Sequence, residues 1–310
     1  MDIDQNKLNI QKHLEKHFGL HNVVCENLNT STNDIFLVTT PTDRFALKLY
    51  NPQSRTVADV QWELELIIHL IKNGVPVVKP ISGKNGYVET FVVDGQDRAA
   101  VLFEWARGEK PKPTKDTYKL LGKAAAQIHQ AATTFTSSLS RHNHKYDATK
   151  LIDEQLKRME KHLIAAGKWP KMLELGERLK NIVANPVLDW GICHMDLTLD
   201  NVYRDGDTIT VFDFDSAAKC WRALEPHKVL RLSKEYFEAW LEGYRSVRPF
   251  KKLDEETVAT FGIIGDLRVV AWDLGVARSS RGTPKIGIPG LADIVDGWLD
   301  WENKYISNKS

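Results

Sequence analysis

Cysteine is scarce in this chain: its 310 residues include only Cys25, Cys193 and Cys220. They are widely spaced and form no CxxC pair, so the sequence offers no basis for a zinc ribbon or a thioredoxin-type redox centre. No apolar run approaches the length of a membrane span. Neither sign of charge is in excess, with 42 Lys+Arg against 41 Asp+Glu and a formal net charge of +1. There is thus no electrostatic reason to expect a nucleic acid or a membrane as partner. Glycine is missing between Gly19 and Gly74, which leaves the first β-type runs without a GxGxxG loop. A GxxxxGK[ST] loop is absent too, since Gly122-Lys123 lacks the upstream glycine and falls in a helical pattern. No GxSxG elbow or HExxH pair occurs, and Ser and His form no local triad signature. Internal repeats, heptads and low-complexity tracts are lacking. The segment MDIDQNKLNIQKHLEKHFGL is polar and carries acids at once, unlike the basic and then apolar regions of a signal peptide. The expected compartment is the cytoplasm.

What is present is an ordinary globular mix, 42% hydrophobic and 27% charged, long enough to bury a sizeable core. An amphipathic helix over 6–18 is followed by short β-type runs, HNVVCENL, DIFLVTT and DRFALKLY. Val57, Val60, Leu64, Ile67, Ile68 and Ile71 then follow a helical period that stops at Asn73-Gly74. Strands near GYVETFVV and RAAVLFEW come next, with Asn85-Gly86 and Asp94-Gly95 as turns. EKPKPTKD reads as a connection, and the chain beyond it is mostly helical: 117–132, 151–166, 172–183, 233–245, 254–273 and 291–306. An α+β organisation is expected, with a strand-rich domain over 1–103 and a helical one over 104–310.

The informative stretch is ICHMDLTLDNVYRDGDTITVFDFDSA. Val202–Arg204 and Thr208–Phe212 flank Asp205-Gly206, a type I′ hairpin signal. A hairpin returns its ends to one place, so Asn201 and Asp213 should arrive side by side. An amide oxygen and a carboxylate there suit a hard cation such as Mg²⁺. Asp196 enters the hairpin five residues before Asn201, where it can orient a nucleophile. His194, Asp196 and Asn201 match the HxDxxxxN spacing, an arrangement that phosphoryl transfer requires: metals on the phosphates and a hydroxyl aimed in line. His194 is expected to be structural. Upstream, Lys48 sits among apolar neighbours in DRFALKLY and suits a phosphate. Its carboxylate partner should come from VQWELELIIHL, with Glu63 preferred to Glu65 because it borders the apolar face.

Together these motifs resemble the aminoglycoside phosphotransferase and homoserine/choline-kinase-like family of small-molecule kinases, and the likeness covers most of the chain. It implies a protein-kinase-like bilobal fold with a β-rich N-lobe and a helical C-lobe. It implies Asp196 as the catalytic aspartate, Asn201 and Asp213 as magnesium ligands, and Lys48 with Glu63 on the nucleotide phosphates. Phe103, Glu104 and Trp105 would form the adenine-binding hinge, and GKAAAQIHQA with His129 the helix after it. LNTSTNDIFLV would cover the phosphates in place of a glycine loop, unlike a standard protein kinase. The family often has glycine where Met195 and Asp200 stand.

The implied reaction moves the γ-phosphate of ATP or GTP to a hydroxyl of a small molecule, an antibiotic or an amino-alcohol or sugar metabolite, with Mg²⁺. Asp200, Asp215, Trp221 and Asp273 are candidates for acceptor contacts, since a cationic acceptor would be drawn to carboxylates and aromatic faces. His142 and His144 read as members of a polar loop. A monomer or homodimer is expected. The rival readings are a non-catalytic nucleotide-binding scaffold of the same fold and a protein Ser/Thr kinase.

Overall fold

The computed structural model describes residues 3–28, 33–93, 95–139, 145–275 and 286–307. The chain divides into two compact units, one comprising Met1–Pro111, Thr134–His142 and Asp200–Asp215, the other Lys112–Thr133, Asn143–Leu199 and Ser216–Ser310.

The first unit is built on an antiparallel sheet. Strands β1 (Val24–Asn27), β2 (Asp34–Thr39), β3 (Arg44–Leu49), β4 (Pro80–Ile81), β5 (Glu89–Val93) and β6 (Gln96–Glu104) lie in the order β1-β2-β3-β6-β4, with β5 also on β6. Alternation decides which face is buried: Phe36 and Val38 of β2, Leu47 and Leu49 of β3, and Phe91 of β5 form one core. Ile10 and Leu14 of helix α1 (Ile3–Phe18) close that core. Burying each such side chain contributes about 1.5–3 kcal/mol. Helix α2 (Val57–Lys72) starts at a reciprocal capping box between Thr56 and Asp59, which satisfies donors the first turn leaves open. The buried Arg98 is fully engaged by Asp34 at 2.5 Å and by the carbonyls of Tyr50 and Leu49.

The second unit is mainly helical. Helix α3 (Lys115–Ala131) and a later helix over Lys234–Arg245 approach so closely that side chains are excluded from the crossing. A Cβ on Gly122 would lie 2.0 Å from the Trp240 carbonyl, and one on Gly243 only 1.8 Å from that of Lys119. Helices α4 (Glu154–Ala165) and α5 (Trp169–Val183) pack around α8 (Lys252–Gly275), whose residues are buried almost all round. That explains why α8 has little amphipathic signature in sequence. A small antiparallel pair, β7 (Trp190–Cys193) with β10 (Ala218–Trp221), carries the loop that follows β7. Two shorter helices, α6 (His227–Leu232) and α7 (Lys234–Arg245), and a last one, α9 (Ile288–Tyr305), complete the unit. Among the described residues, no helix is long and apolar enough to cross a membrane.

Candidate active site

The hairpin expected downstream of Asp196 is formed by β8 (Val202–Asp205) and β9 (Thr208–Val211) in the first unit. Its turn differs from expectation. Asp205 pairs with Thr208, so the central residues are Gly206 and Asp207. Only Gly206 takes a left-handed φ, +57°, whereas a type I′ turn needs positive φ at both central residues. The ends meet as anticipated: the Phe212 amide donates to the Asn201 carbonyl at 3.0 Å. Asp213 follows in a left-handed conformation, φ +63°, which an Asp tolerates better than most residues.

Lys48 points from β3 into a knot of carboxylates. Its Nζ lies 2.7 Å from Asp213, 3.6 Å from Glu63 and 3.7 Å from Asp215, and it sits 4.7 Å from the Tyr50 ring. Burial alone would push the ammonium down, but Asp213, Asp215 and Glu63 outweigh it and hold Lys48 well above its ordinary value. Glu63 is buried and accepts from the Tyr50 hydroxyl at 3.1 Å, while Glu65 is exposed. Asn33, just before β2, adds a side-chain amide that donates to Asp215 at 2.7 Å. One ammonium facing three carboxylates leaves a formal charge of −2. Those carboxylates and the nearby Asn201 amide offer only oxygen donors, a set that fits a hard divalent cation.

Lys48, Glu63, Asn201 and Asp213 are among the residues that line a cavity of about 260 Å³. Leu28, Ile35, Ala46, Val78 and Phe103 give it apolar lining, to which Glu104, Trp105 and Ala106 also contribute. The amides of Glu104 and Trp105 already donate to the carbonyls of Lys79 and Arg44, at 2.9 and 3.2 Å. Trp105 is held edge-on to Tyr203 and beneath the Arg44 guanidinium.

Asp196 belongs to the second unit, on the loop after β7. Sequence reasoning missed the residue that shapes this loop. Glu225, fully buried, accepts from the amides of His194 and Met195 at 2.8 and 2.9 Å and from His129 at 3.0 Å. Burial would raise its carboxyl, but the His129 hydrogen bond and neighbouring charge outweigh that and hold it low. Burial in turn holds His129 below its ordinary value, against the pull of Glu225. Met195 takes a left-handed φ of +69°, which for a side chain of this kind costs about 1–3 kcal/mol. Glu225 on its amide and Arg268 on its carbonyl at 2.9 Å hold it there. Asp196 itself is paired with Lys228 of α6, Nζ to carboxylate 2.8 Å. His129, Cys193 and Glu225 converge closely enough to suggest a metal cluster. Burial, however, keeps the Cys193 thiol protonated, and the His129 nitrogens are engaged by Tyr244 and Glu225.

His227, next in this network, is buried, contacts the Leu224 carbonyl at 2.6 Å through Nδ1, and is pushed down to about 4. The cause is burial, helped by Lys228, Arg268 and Arg231. Below pH 6.5 the unfolded chain takes up a proton that the folded chain refuses, so this site's stabilisation falls as pH falls towards 4. His227→Asn, which keeps an N–H near the Leu224 carbonyl, should remove about 2 kcal/mol of the stability lost between pH 7 and pH 5. Urea unfolding at the two pH values checks this; an unchanged pH slope in the variant contradicts it.

The acceptor candidates are dispersed. Asp200 lines the first unit's cavity and is ion-paired with Lys110, both exposed. Asp215 is buried on Asn33. Trp221 is buried edge-to-face against Trp190, 4.8 Å between ring centres, and Asp273 accepts from the Ile286 amide at 3.0 Å. The stretch 29–32 within LNTSTNDIFLV, Asp94 of its expected turn, and His142 and His144 lie outside the described residues.

The fold is protein-kinase-like, with a sheet-rich N-terminal part and a helical C-terminal part. It matches the structure of an amicoumacin kinase solved in complex with AMP-PNP, Ca²⁺ and Ami, with a TM-score of 0.76 at 16% identity, over 98% of this chain and 94% of that one. A microcompartment-associated aminopropanol kinase matches with a TM-score of 0.72 at 21% identity, over 96% and 97% of the two chains. The model of the phosphotransferase enzyme family APH matches residues 24–250, and the chain belongs to that family. In sequence it is 26% identical to homoserine kinase of Neisseria meningitidis serogroup B over 251 residues, 76% of this chain and 78% of the relative.

Proposed function

We propose that the protein transfers the γ-phosphoryl group of a nucleoside triphosphate, ATP or GTP, to a hydroxyl of a small molecule. The observation that carries this reading is the cavity of the first unit, whose lining joins apolar side chains to Lys48, Glu63, Asn201 and Asp213. The apolar lining suits a planar base. Since the Glu104 and Trp105 amides are engaged within the protein, the adenine-type edge would pair with the Glu104 carbonyl and the Ala106 amide. Lys48, held by Glu63, neutralises phosphate charge. Asn201 and Asp213 would hold Mg²⁺, which when bound neutralises charge building on the phosphates.

Asp196 accepts the hydrogen bond of the acceptor hydroxyl and aims its oxygen at phosphorus. The new bond joins that oxygen to the γ-phosphorus, the bond to the bridging oxygen breaks, and the nucleoside diphosphate leaves with the electron pair. The hydroxyl proton passes to Asp196 and on to solvent. Aiming and charge neutralisation supply most of such a rate.

The test is an NTP-consumption screen with Mg²⁺ against a mixed panel of aminoglycosides, nucleoside antibiotics, amino alcohols, sugars and hydroxy acids, followed by Asp196→Asn on the best acceptor. A phosphorylated product and a loss of roughly 10²–10⁴-fold in kcat for the variant are expected. Unimpaired turnover by Asp196→Asn overturns the mechanism. Nucleotide binding with no transfer across the panel favours the scaffold reading, and transfer to protein serines alone favours the protein kinase.

A further inference from the structure

Resting on the kinase reading, we infer that Lys228 selects the acceptor by charge, and that the acceptor is an alcohol carrying an anionic group, such as a hydroxy acid, rather than a polyamine or amino alcohol. The geometry begins with Asp196. A hydroxyl hydrogen-bonded to its carboxylate must come within about 8 Å of any group bonded to that same carboxylate. The Lys228 ammonium is such a group, 2.8 Å from Asp196 Oδ1, with both side chains about two-fifths exposed (41% and 38%). Exposed pairs of this kind hold together weakly, so Lys228 can turn from Asp196 to a group on the acceptor at little cost.

The surroundings have the same sign. Arg268 brings its guanidinium to the Met195 carbonyl, and Arg231 and Arg268 join Lys228 in acting on His227, which stays neutral. The carboxylates nearby in this unit are committed. Glu225 is buried on the loop amides, and Asp266 is held by Arg231 at 2.9 Å and by Trp298 Nε1 at 3.0 Å. An ammonium-bearing acceptor would meet cations beside Asp196, whereas an anionic one finds a ready partner.

Steady-state kinetics on matched acceptors tests the inference: a short hydroxy acid, its uncharged amide, the amino alcohol of equal length and a sugar monophosphate. For the native protein, kcat/KM for the hydroxy acid should exceed that for the amide and the amino alcohol roughly ten- to hundredfold. A higher value for the sugar monophosphate would identify the anion as a phosphate ester instead of a carboxylate, with the role of Lys228 intact. Lys228→Met should erase the preference through the acceptor KM while the KM for MgATP stays within twofold. Lys228→Arg should retain the preference, and Lys228→Glu should shift it towards the amino alcohol. A general loss of packing would lower all acceptors alike and produce none of these sign changes. Equal or better turnover of the amino alcohol by the native protein, or an equal loss on charged and neutral acceptors in Lys228→Met, overturns the inference and leaves the kinase reading standing. Absence of transfer to every acceptor overturns both.

Discussion

Replacing Lys48 with methionine is expected to abolish useful phosphotransfer and to destabilise the first unit together. The two effects have separable causes. Glu63 is 1% exposed and Asp215 11% in their side chains, and Lys48 supplies the cation that both of them face. Removing one partner of a buried ion pair leaves charge uncompensated in low dielectric, a loss of about 3–5 kcal/mol. In the proposed mechanism catalysis also loses the ammonium that would neutralise the phosphates, for which a fall of roughly 10²–10³-fold in kcat is expected. Adding Glu63→Gln separates them. The neutral amide keeps an acceptor for the Tyr50 hydroxyl, 3.1 Å away in the native chain, and removes one of the two buried charges, Glu63 and Asp215, that Lys48→Met strands. Urea unfolding should therefore show part of the stability regained in Lys48→Met/Glu63→Gln, the share that Glu63 accounts for, while kcat stays at the level of the single variant. If activity returned with stability, Lys48 would be a folding residue and its phosphate role would be lost.

The contrast between Lys48 and Glu225 shows how much of the site could be read from the chain. Lys48 announces itself as a charge in an apolar strand, and Glu63 as an acid bordering an apolar helical stripe; local pattern alone puts each on its element. Asn201 and Asp213 are brought together by a hairpin whose signal lies entirely between them. Glu225 has no such mark. RALEPHKVL reads as an ordinary polar-to-helical transition, and the acid's value comes from amides 30 and 31 residues earlier and from His129, 96 residues away. Lys228 is equally silent, because a lysine in the first turn of a short helix reads as solvated. The same distance hides Asn33, whose partner Asp215 lies 182 residues on. Trp221 is ambiguous for a related reason: a tryptophan's size advertises a contact without saying what the partner is, and here the ring packs on Trp190 and Phe261. Elements such as β2, β5 and α3 were legible because burial follows period 2 or 3.6 along them. The turn type was not, since one residue of register moves Gly206 from second to first central position.

Glu225→Gln should disable the enzyme from a position that touches no reactant. In the native chain both carboxylate oxygens accept: Oε2 from the His194 amide and His129, and Oε1 from the Met195 amide. A glutamine turns one of those oxygens into a donor facing another donor, and each buried amide left unsatisfied costs about 1–3 kcal/mol. Met195 has no reason of its own to stay at φ +69°, so the strain stored there drives the loop towards a relaxed conformation and moves Asp196 with it. Misplacement by an ångström is enough to cost about 10²-fold in rate. The expected signature is a kcat reduced by at least that factor, with the thermal shift produced by MgATP retained, because the nucleotide-type cavity is built within the first unit. Met195→Gly in the same background is the informative second change. Glycine adopts the left-handed conformation without strain, so it should recover part of kcat although it forfeits a buried side chain. Were Met195→Gly to leave the Glu225→Gln defect untouched, the clamp would act through something other than the backbone of the loop.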